Sequence, residues 1–99
     1  MIIIVKGTSF YQNVVKTLPF YSLGLLEPQP DNVYDPFACA IKVNNELVGY
    51  LPRGWTNQKW GREIINVIKH KEGLVQLVKV GGFKLYNDQK PLYGLRLIL

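Results

Sequence analysis

The sequence predicts a small, mainly β domain: a barrel or strongly curved sheet of about six short strands with one main helix. Three observations predict this class. Short apolar runs recur along the chain and are separated by turn residues. A single segment, about residues 56–71, has its apolar residues at helical spacing. The length of 99 residues supports one modest core, so we expect one domain over residues 1–99.

The chain opens on the β-branched run Ile2–Val5, which ends at Gly7. Such a run predicts a buried strand. No positive charge precedes it and the apolar run is short, so we expect a strand here and not a secretory signal. Phe10 and Tyr11 follow. Because neighbouring side chains of a strand point to opposite faces, we expect one of the two rings to be exposed at a strand end, or both to lie on a loop.

The middle of the chain predicts a strand, a loop and a hairpin. Residues 22–26 form the strand, in which Gly24 marks a bulge or a close approach of another chain segment. Prolines at 28, 30 and 36 then make residues 28–36 the strongest loop signal. The runs Phe37–Val43 and Leu47–Leu51 flank Asn44-Asn45, a pair that suits the positive φ angles of a tight hairpin turn.

The main helix is predicted to begin near Thr56, a suitable N-cap, and to end at Gly73. Residues 74–80 alternate as a strand, and Gly81-Gly82 allows a sharp bend. We expect a final hairpin from residues 83–86 and 92–99, with its turn at residues 87–91.

The residue types argue against an enzyme. His70 is the single histidine and lies between two lysines at the predicted end of the helix, where a positive charge interacts favourably with the helix dipole. Cys39, the single cysteine, falls on the predicted buried face and suits a core position in a protein of a reducing, intracellular compartment. The sequence has no phosphate-binding loop and no close pair of acids. We therefore expect no catalysis, no metal and no cofactor, and place the protein in the cytoplasm.

The charge indicates a polyanionic partner. Net charge is +5, with 12 Lys and Arg against 7 Asp and Glu, and a basic surface attracts nucleic acid. Aromatic rings that stack on bases, with cations along the backbone, are how proteins hold single strands. Several aromatic residues fall in polar segments. Trp55 and Trp60 are readily explained as packing residues, whereas Tyr11 and Tyr34 are less easily absorbed by a core.

The stretch from Glu27 to Arg53 carries a resemblance to a known family. Its pattern consists of Glu27-Pro28, Asp31-Asn32, Tyr34-Asp35-Pro36, Ala38, Ala40-Ile41, Val43 and Val48-Gly49-Tyr50-Leu51-Pro52-Arg53. With Val5-Lys6-Gly7 and Phe10-Tyr11 before it, this pattern resembles the HIRAN domain, found in Snf-type DNA translocases and as a bacterial stand-alone module. The resemblance implies an OB-like antiparallel β-barrel that binds DNA and, in some members, the 3′-hydroxyl end of a single strand.

The resemblance also implies a set of site residues. Phe10 and Tyr11 would stack on bases, Tyr34 and Asp35 would hold the terminal nucleotide, and Tyr50 and Arg53 would lie beside the phosphates. A carboxylate such as Asp35 is repelled by a phosphate chain but accepts a hydrogen bond from a terminal 3′-hydroxyl. The alternative for Asp35 is a turn residue that bonds its own backbone. The sequence departs from the family pattern at Ser9, Val33, Phe37 and Gln29-Pro30.

The functional hypothesis is therefore a module that binds single-stranded DNA, including its 3′-hydroxyl end, at damaged DNA or stalled replication forks. The alternative is a protein interaction or accessory module of a DNA helicase, translocase or nuclease. The expected partners are single-stranded DNA or DNA 3′ ends and a helicase or translocase, with no membrane.

Overall fold

The computed structural model describes residues 1–52, 61–83 and 92–99. Six antiparallel strands form one sheet that curls into a half-barrel, so the predicted mainly β class is confirmed and the shape is compatible with a small OB-like barrel. The strands are β1 Ile2–Ile4, β2 Tyr21–Pro28, β3 Cys39–Val43, β4 Glu46–Tyr50, β5 Leu74–Phe83 and β6 Leu92–Ile98. The helices are a 3₁₀ turn Thr8–Tyr11, α1 Gln12–Val15 and α2 Gly61–His70.

The strand order across the sheet is β1-β6-β5-β2-β3-β4, which makes β1 and β4 its edges. The curl brings these edges together at one end. There Lys6, just beyond β1, pairs with Tyr50 of β4: each backbone N–H donates to the other residue's carbonyl oxygen at 2.8 Å. We call this contact the seam. It joins two residues that are far apart in sequence, and partly closes the barrel.

The core lies on the concave side of the sheet. Alternate strand residues point into it, as the period of two requires, and α1 and α2 add buried side chains. Its fully buried members include Ile3, Ile41, Val48, Leu77, Leu95, Leu97, Val15 and Ile64. Neither α-helix that the structure describes has the length and apolar character that crossing a membrane requires.

The hairpin of β3 and β4 forms as predicted. Asn44 and Asn45 both have positive φ angles, 50° and 68°, as a two-residue hairpin turn of type I′ requires. The strand, however, begins at Cys39 and not at Phe37. Phe37 is therefore half exposed at the end of the preceding loop, whereas Ala40, predicted on the opposite face, is fully buried.

Two predictions about strands were wrong in part. Ile2 and Ile4 are exposed, because their side chains lie on the face of the sheet that points away from the core, as do those of Tyr21 and Leu23. Gly81 and Gly82 do not break the strand, since β5 continues to Phe83 across a shift in its register with β6. Their φ angles of 95° and 86° accommodate this bulge.

Gly24 is a site of close approach, one of its two predicted roles. A Cβ atom there would lie 2.7 Å from Leu77 Cδ1 of the neighbouring strand, while the pairing of β2 with β5 runs without a shift.

The described part of the main helix lies inside the predicted range and ends as expected. The Gly73 N–H donates to the Val67 carbonyl at 3.1 Å, and Glu72 between them takes a left-handed φ of 54°. The predicted N-cap Thr56 and the turn at residues 87–91 lie outside the described residues.

Candidate nucleic-acid interface

The seam depends on a glycine beside it. A Cβ atom at Gly49 would lie 2.6 Å from both the Lys6 carbonyl oxygen and Val5 Cγ1, closer than real Cβ contacts come. Only glycine therefore lets the two edges approach here. Tyr50, the next residue, makes the two backbone hydrogen bonds of the seam.

The 3₁₀ turn decides how the two adjacent aromatics are presented. Gly7 enters the turn with a φ of 80°, and the Phe10 N–H donates to its carbonyl at 3.0 Å. The ring of Phe10 points outward and is 84% exposed, whereas Tyr11 is half-buried and packs against the core. Of the two arrangements expected from the sequence, the structure therefore shows a turn and no strand end, with one ring exposed.

Gln12 holds this turn against the sheet. Its side-chain Nε2 donates to the carbonyls of Thr8, at 2.9 Å, and of Tyr93, at 2.7 Å, and its Oε1 accepts from the Tyr93 N–H at 2.9 Å. The Gln12 amide thus bonds both the N–H and the carbonyl of Tyr93 in β6, and its bond to Thr8 links the start of the turn to that strand. The sequence carries no local signal for this role, because Tyr93 is 81 residues away.

Tyr11 and Tyr50 come together beside the seam. Burial, followed by the neighbouring Tyr50 hydroxyl, raises the pKa of Tyr11 above its usual 10.0. The Tyr11 phenol therefore stays neutral at physiological pH and adds no negative charge that would repel a phosphate. Lys6, which is exposed, pairs with Tyr50 in the seam, Tyr11 contacts Tyr50, and Phe10 directly precedes Tyr11 in the chain. We call these four residues the seam cluster.

The other two predicted residues with described positions, Tyr34 and Asp35, lie on the loop between β2 and β3. Asn32 organises this loop, since its Oδ1 accepts from the backbone N–H groups of Tyr34, at 2.9 Å, and Asp35, at 3.1 Å. The Tyr34 side chain is 88% exposed. It is thus an exposed ring on a loop ordered by its own short-range hydrogen bonds.

Asp35 adopts the turn role that was its alternative interpretation. Its Oδ1 accepts from the Phe37 N–H at 2.9 Å, and its carbonyl accepts from Ala38 at 3.0 Å. A carboxylate offers about four acceptor sites on two oxygens. The bond to Phe37 therefore leaves capacity for a further donor.

The predicted residues thus fall into two groups. Phe10, Tyr11 and Tyr50 belong to the seam cluster, and Tyr34 and Asp35 to the loop. Among the described residues, no hydrogen bond or ring contact joins one group to the other. They are linked through β3, because Ala40, five residues after Asp35, pairs with Tyr50. Arg53, the sixth predicted residue, lies outside the described residues, as do Trp55 and Trp60.

The residues considered for catalysis occupy unreactive or solvated positions. Cys39 is 1% exposed, and burial raises the pKa of its thiol to about 11, so it stays protonated and is shielded from substrates. His70 is exposed in the last turn of α2. In residues 1–52, 61–83 and 92–99, no three His, Cys, Asp or Glu side chains are grouped to hold a metal ion.

No family model matches this chain, and comparisons with curated proteins and with solved structures found no match. The functional conclusion therefore depends on the residues of the chain and their geometry.

Proposed function

We propose that this protein is a module that binds single-stranded DNA, with the seam cluster as its base-stacking surface. The observation that carries the proposal is the Phe10 ring, held 84% exposed by an ordered 3₁₀ turn. The turn fixes the backbone that carries the ring and leaves the ring open for a base to stack on it. Such stacking contributes roughly 1–3 kcal/mol per base.

The charge of the protein supports the same function. Lys6 is exposed at the seam and the chain carries a net charge of +5, which favours the phosphate backbone of a bound strand. The Tyr11 phenol, whose pKa burial raises, stays protonated beside the seam and offers a polar hydroxyl group without repelling that backbone. Arg53, three residues after Tyr50, would add a second cation beside the phosphates.

The finer form of the proposal assigns recognition of a 3′-hydroxyl end to Tyr34 and Asp35. The exposed Tyr34 ring offers a stacking surface for the last base. The Asp35 carboxylate accepts a hydrogen bond from the terminal hydroxyl while it remains bonded to the Phe37 N–H. The resemblance to the HIRAN domain supports this assignment and a role at damaged DNA or stalled replication forks.

The direct test is titration of fluorescent oligonucleotides with the protein, read by anisotropy at low and at physiological salt. The oligonucleotides end either in a 3′-hydroxyl or in a 3′-phosphate. We expect binding that weakens as salt rises, and tighter binding to the 3′-hydroxyl end. Phe10→Ala should weaken binding roughly 5- to 150-fold, the range that the loss of one stacked base implies.

Phe20→Ala is the matched control, because Phe20 is also an exposed phenylalanine, 58% exposed, but directly precedes β2, an inner strand away from the seam. It should bind DNA as the wild type does. Absence of binding at low salt would remove the proposal. Equal affinity for the two ends would remove the role of Asp35 and leave the general function.

A further inference from the structure

The convex side of the sheet exposes apolar side chains in adjacent rows. Residues paired across antiparallel strands share a face. One row contains Ile2, Ile98, Gln76 and Leu23, and the next contains Ile4, Arg96, Val78 and Tyr21. Leu74 and Leu25 form a third pair. We call the exposed large residues of these rows the outer apolar face: Ile2, Ile4, Tyr21, Leu23, Leu25, Leu74 and Ile98.

These side chains are unusually exposed for a strand surface of a small protein. Ile2 is 68% exposed, Leu23 64% and Tyr21 63%, and the remaining four lie between 38% and 50%. Seven large apolar side chains exposed in adjacent rows form a patch of several hundred Å², a size that often marks an interaction surface and is on the scale of the ~800 Å² that each partner buries in a stable complex.

The small number of charges on this face indicates what kind of molecule covers it. Two copies of one chain bring identical charges together, so a surface for self-association must carry little charge. The described rows of this face contain two charged residues, Arg96 and also Lys42, which pairs with Leu25 in the third row. The Nη1 atom of Arg96 already donates to the Leu95 carbonyl at 3.3 Å. Lys42 forms an ion pair with Glu27 at 2.9 Å. An anionic membrane surface would instead favour several cations around the apolar residues.

We propose that a second copy of this chain covers the outer apolar face, in a two-fold symmetric dimer with the two sheets packed face to face. A two-fold axis uses the same patch on both copies, so an apolar surface of this kind is self-complementary. The inference does not depend on DNA binding. The face centres on β6 and β5, and Phe10, Tyr11 and Tyr50 lie outside its rows, whereas Ile4 of β1 brings one border of the face close to Lys6.

The test is the molar mass of the DNA-free protein in solution, measured by sedimentation equilibrium over about 1–300 µM, the range that an interface of this size makes informative. We expect a mass that rises from 11.3 kDa toward twice that value. Leu23→Glu places a charge on the β2 side of the face, at a residue that is 64% exposed, and should raise the dimer dissociation constant at least tenfold. Val33→Glu is the matched control, because Val33 is 88% exposed on the loop outside the face. It should leave the dimer unchanged.

A mass of one chain at every concentration overturns the proposal, as does unaltered self-association of Leu23→Glu. Should circular dichroism show that Leu23→Glu is unfolded, Ile2→Glu at the sheet edge carries the same expectation. A wild-type monomer that co-sediments with vesicles of phosphatidylcholine and phosphatidylserine would assign the face to a membrane and equally overturn the dimer. Phe10→Ala should dimerise normally, which separates this test from that of DNA binding.

Discussion

Lys6 and Tyr50 exchange two backbone hydrogen bonds of 2.8 Å, and this pair is where the two edges of the curled sheet meet. The pairing satisfies backbone groups that an open edge would leave exposed. It also positions Tyr50 beside Tyr11 and next to the turn that exposes Phe10. The closure of the fold and the candidate site thus share the same few residues.

The seam should be sensitive to one added methyl group. Gly49→Ala places a Cβ atom 2.6 Å from the Lys6 carbonyl oxygen, so the edges must separate. We expect the free energy of unfolding, measured in urea, to fall by ~1–3 kcal/mol. Gly94→Ala is the control, because its Cβ would make only ordinary contacts of 3.4 Å with Val80 and 3.5 Å with Arg96. An equal loss in both variants would contradict the role of the seam.

Gln12 should stabilise the 3₁₀ turn by linking it to Tyr93, a residue distant in the sequence. Gln12→Ala removes three hydrogen bonds and leaves the backbone groups of Tyr93 without that partner. We expect a loss of ~1–3 kcal/mol in the free energy of unfolding, and weaker DNA binding because Phe10 is no longer held. Asn13→Ala, at the exposed neighbouring position, should change neither quantity. Chemical denaturation and anisotropy on the same samples measure both effects.

The buried thiol makes stability depend on pH in the alkaline range. Burial raises the pKa of Cys39 from 9.0 to about 11, so the folded protein holds its proton where the unfolded chain has lost it. The stabilisation is complete below pH 9 and is lost as the pH rises toward 11, by up to ~3 kcal/mol. Denaturation of the wild type and of Cys39→Ala at pH 8 and pH 10.5 measures it. The wild type should lose more stability than the variant between these values, and parallel losses would refute the assignment.

The end of α2 offers a stabilising substitution. Glu72 adopts a left-handed φ of 54°, a conformation that glycine takes without steric cost. Glu72→Gly should raise the free energy of unfolding by ~0.5–1 kcal/mol. Lys71→Gly is the control, because Lys71 still donates to the Val67 carbonyl as a helical residue. It should lower stability, and thermal unfolding of the two variants should move in opposite directions.

Recognition of the 3′ end can be separated from the structure of the loop. Asp35→Asn keeps an oxygen that accepts from the Phe37 N–H and removes the negative charge. Because the charge is what repels a 3′-phosphate, we expect the preference for a 3′-hydroxyl end to shrink while affinity for other strands is retained. Competition between the two oligonucleotides measures the ratio. An unchanged ratio would show that the carboxylate does not read the end.

The sequence by itself determined the class of the fold and much of its local structure. The hairpin at Asn44-Asn45, the end of the helix at Gly73 and the buried role of Cys39 all follow from patterns within a few residues. Such features depend on backbone preferences and on the period of apolar side chains, which a short window contains.

Only the tertiary structure decided which residues meet. Three features depend on partners that are distant in the chain. They are the pairing of Lys6 with Tyr50, the hydrogen bonds of Gln12 to Tyr93, and the exposure of Phe10 next to the half-buried Tyr11. The same holds for Ile2 and Ile4, whose apolar run predicts burial although their side chains lie on the face of the sheet that points away from the core. Local patterns state that a side chain is apolar or that a strand forms, whereas the curl of the sheet determines which strands are neighbours and which face meets water.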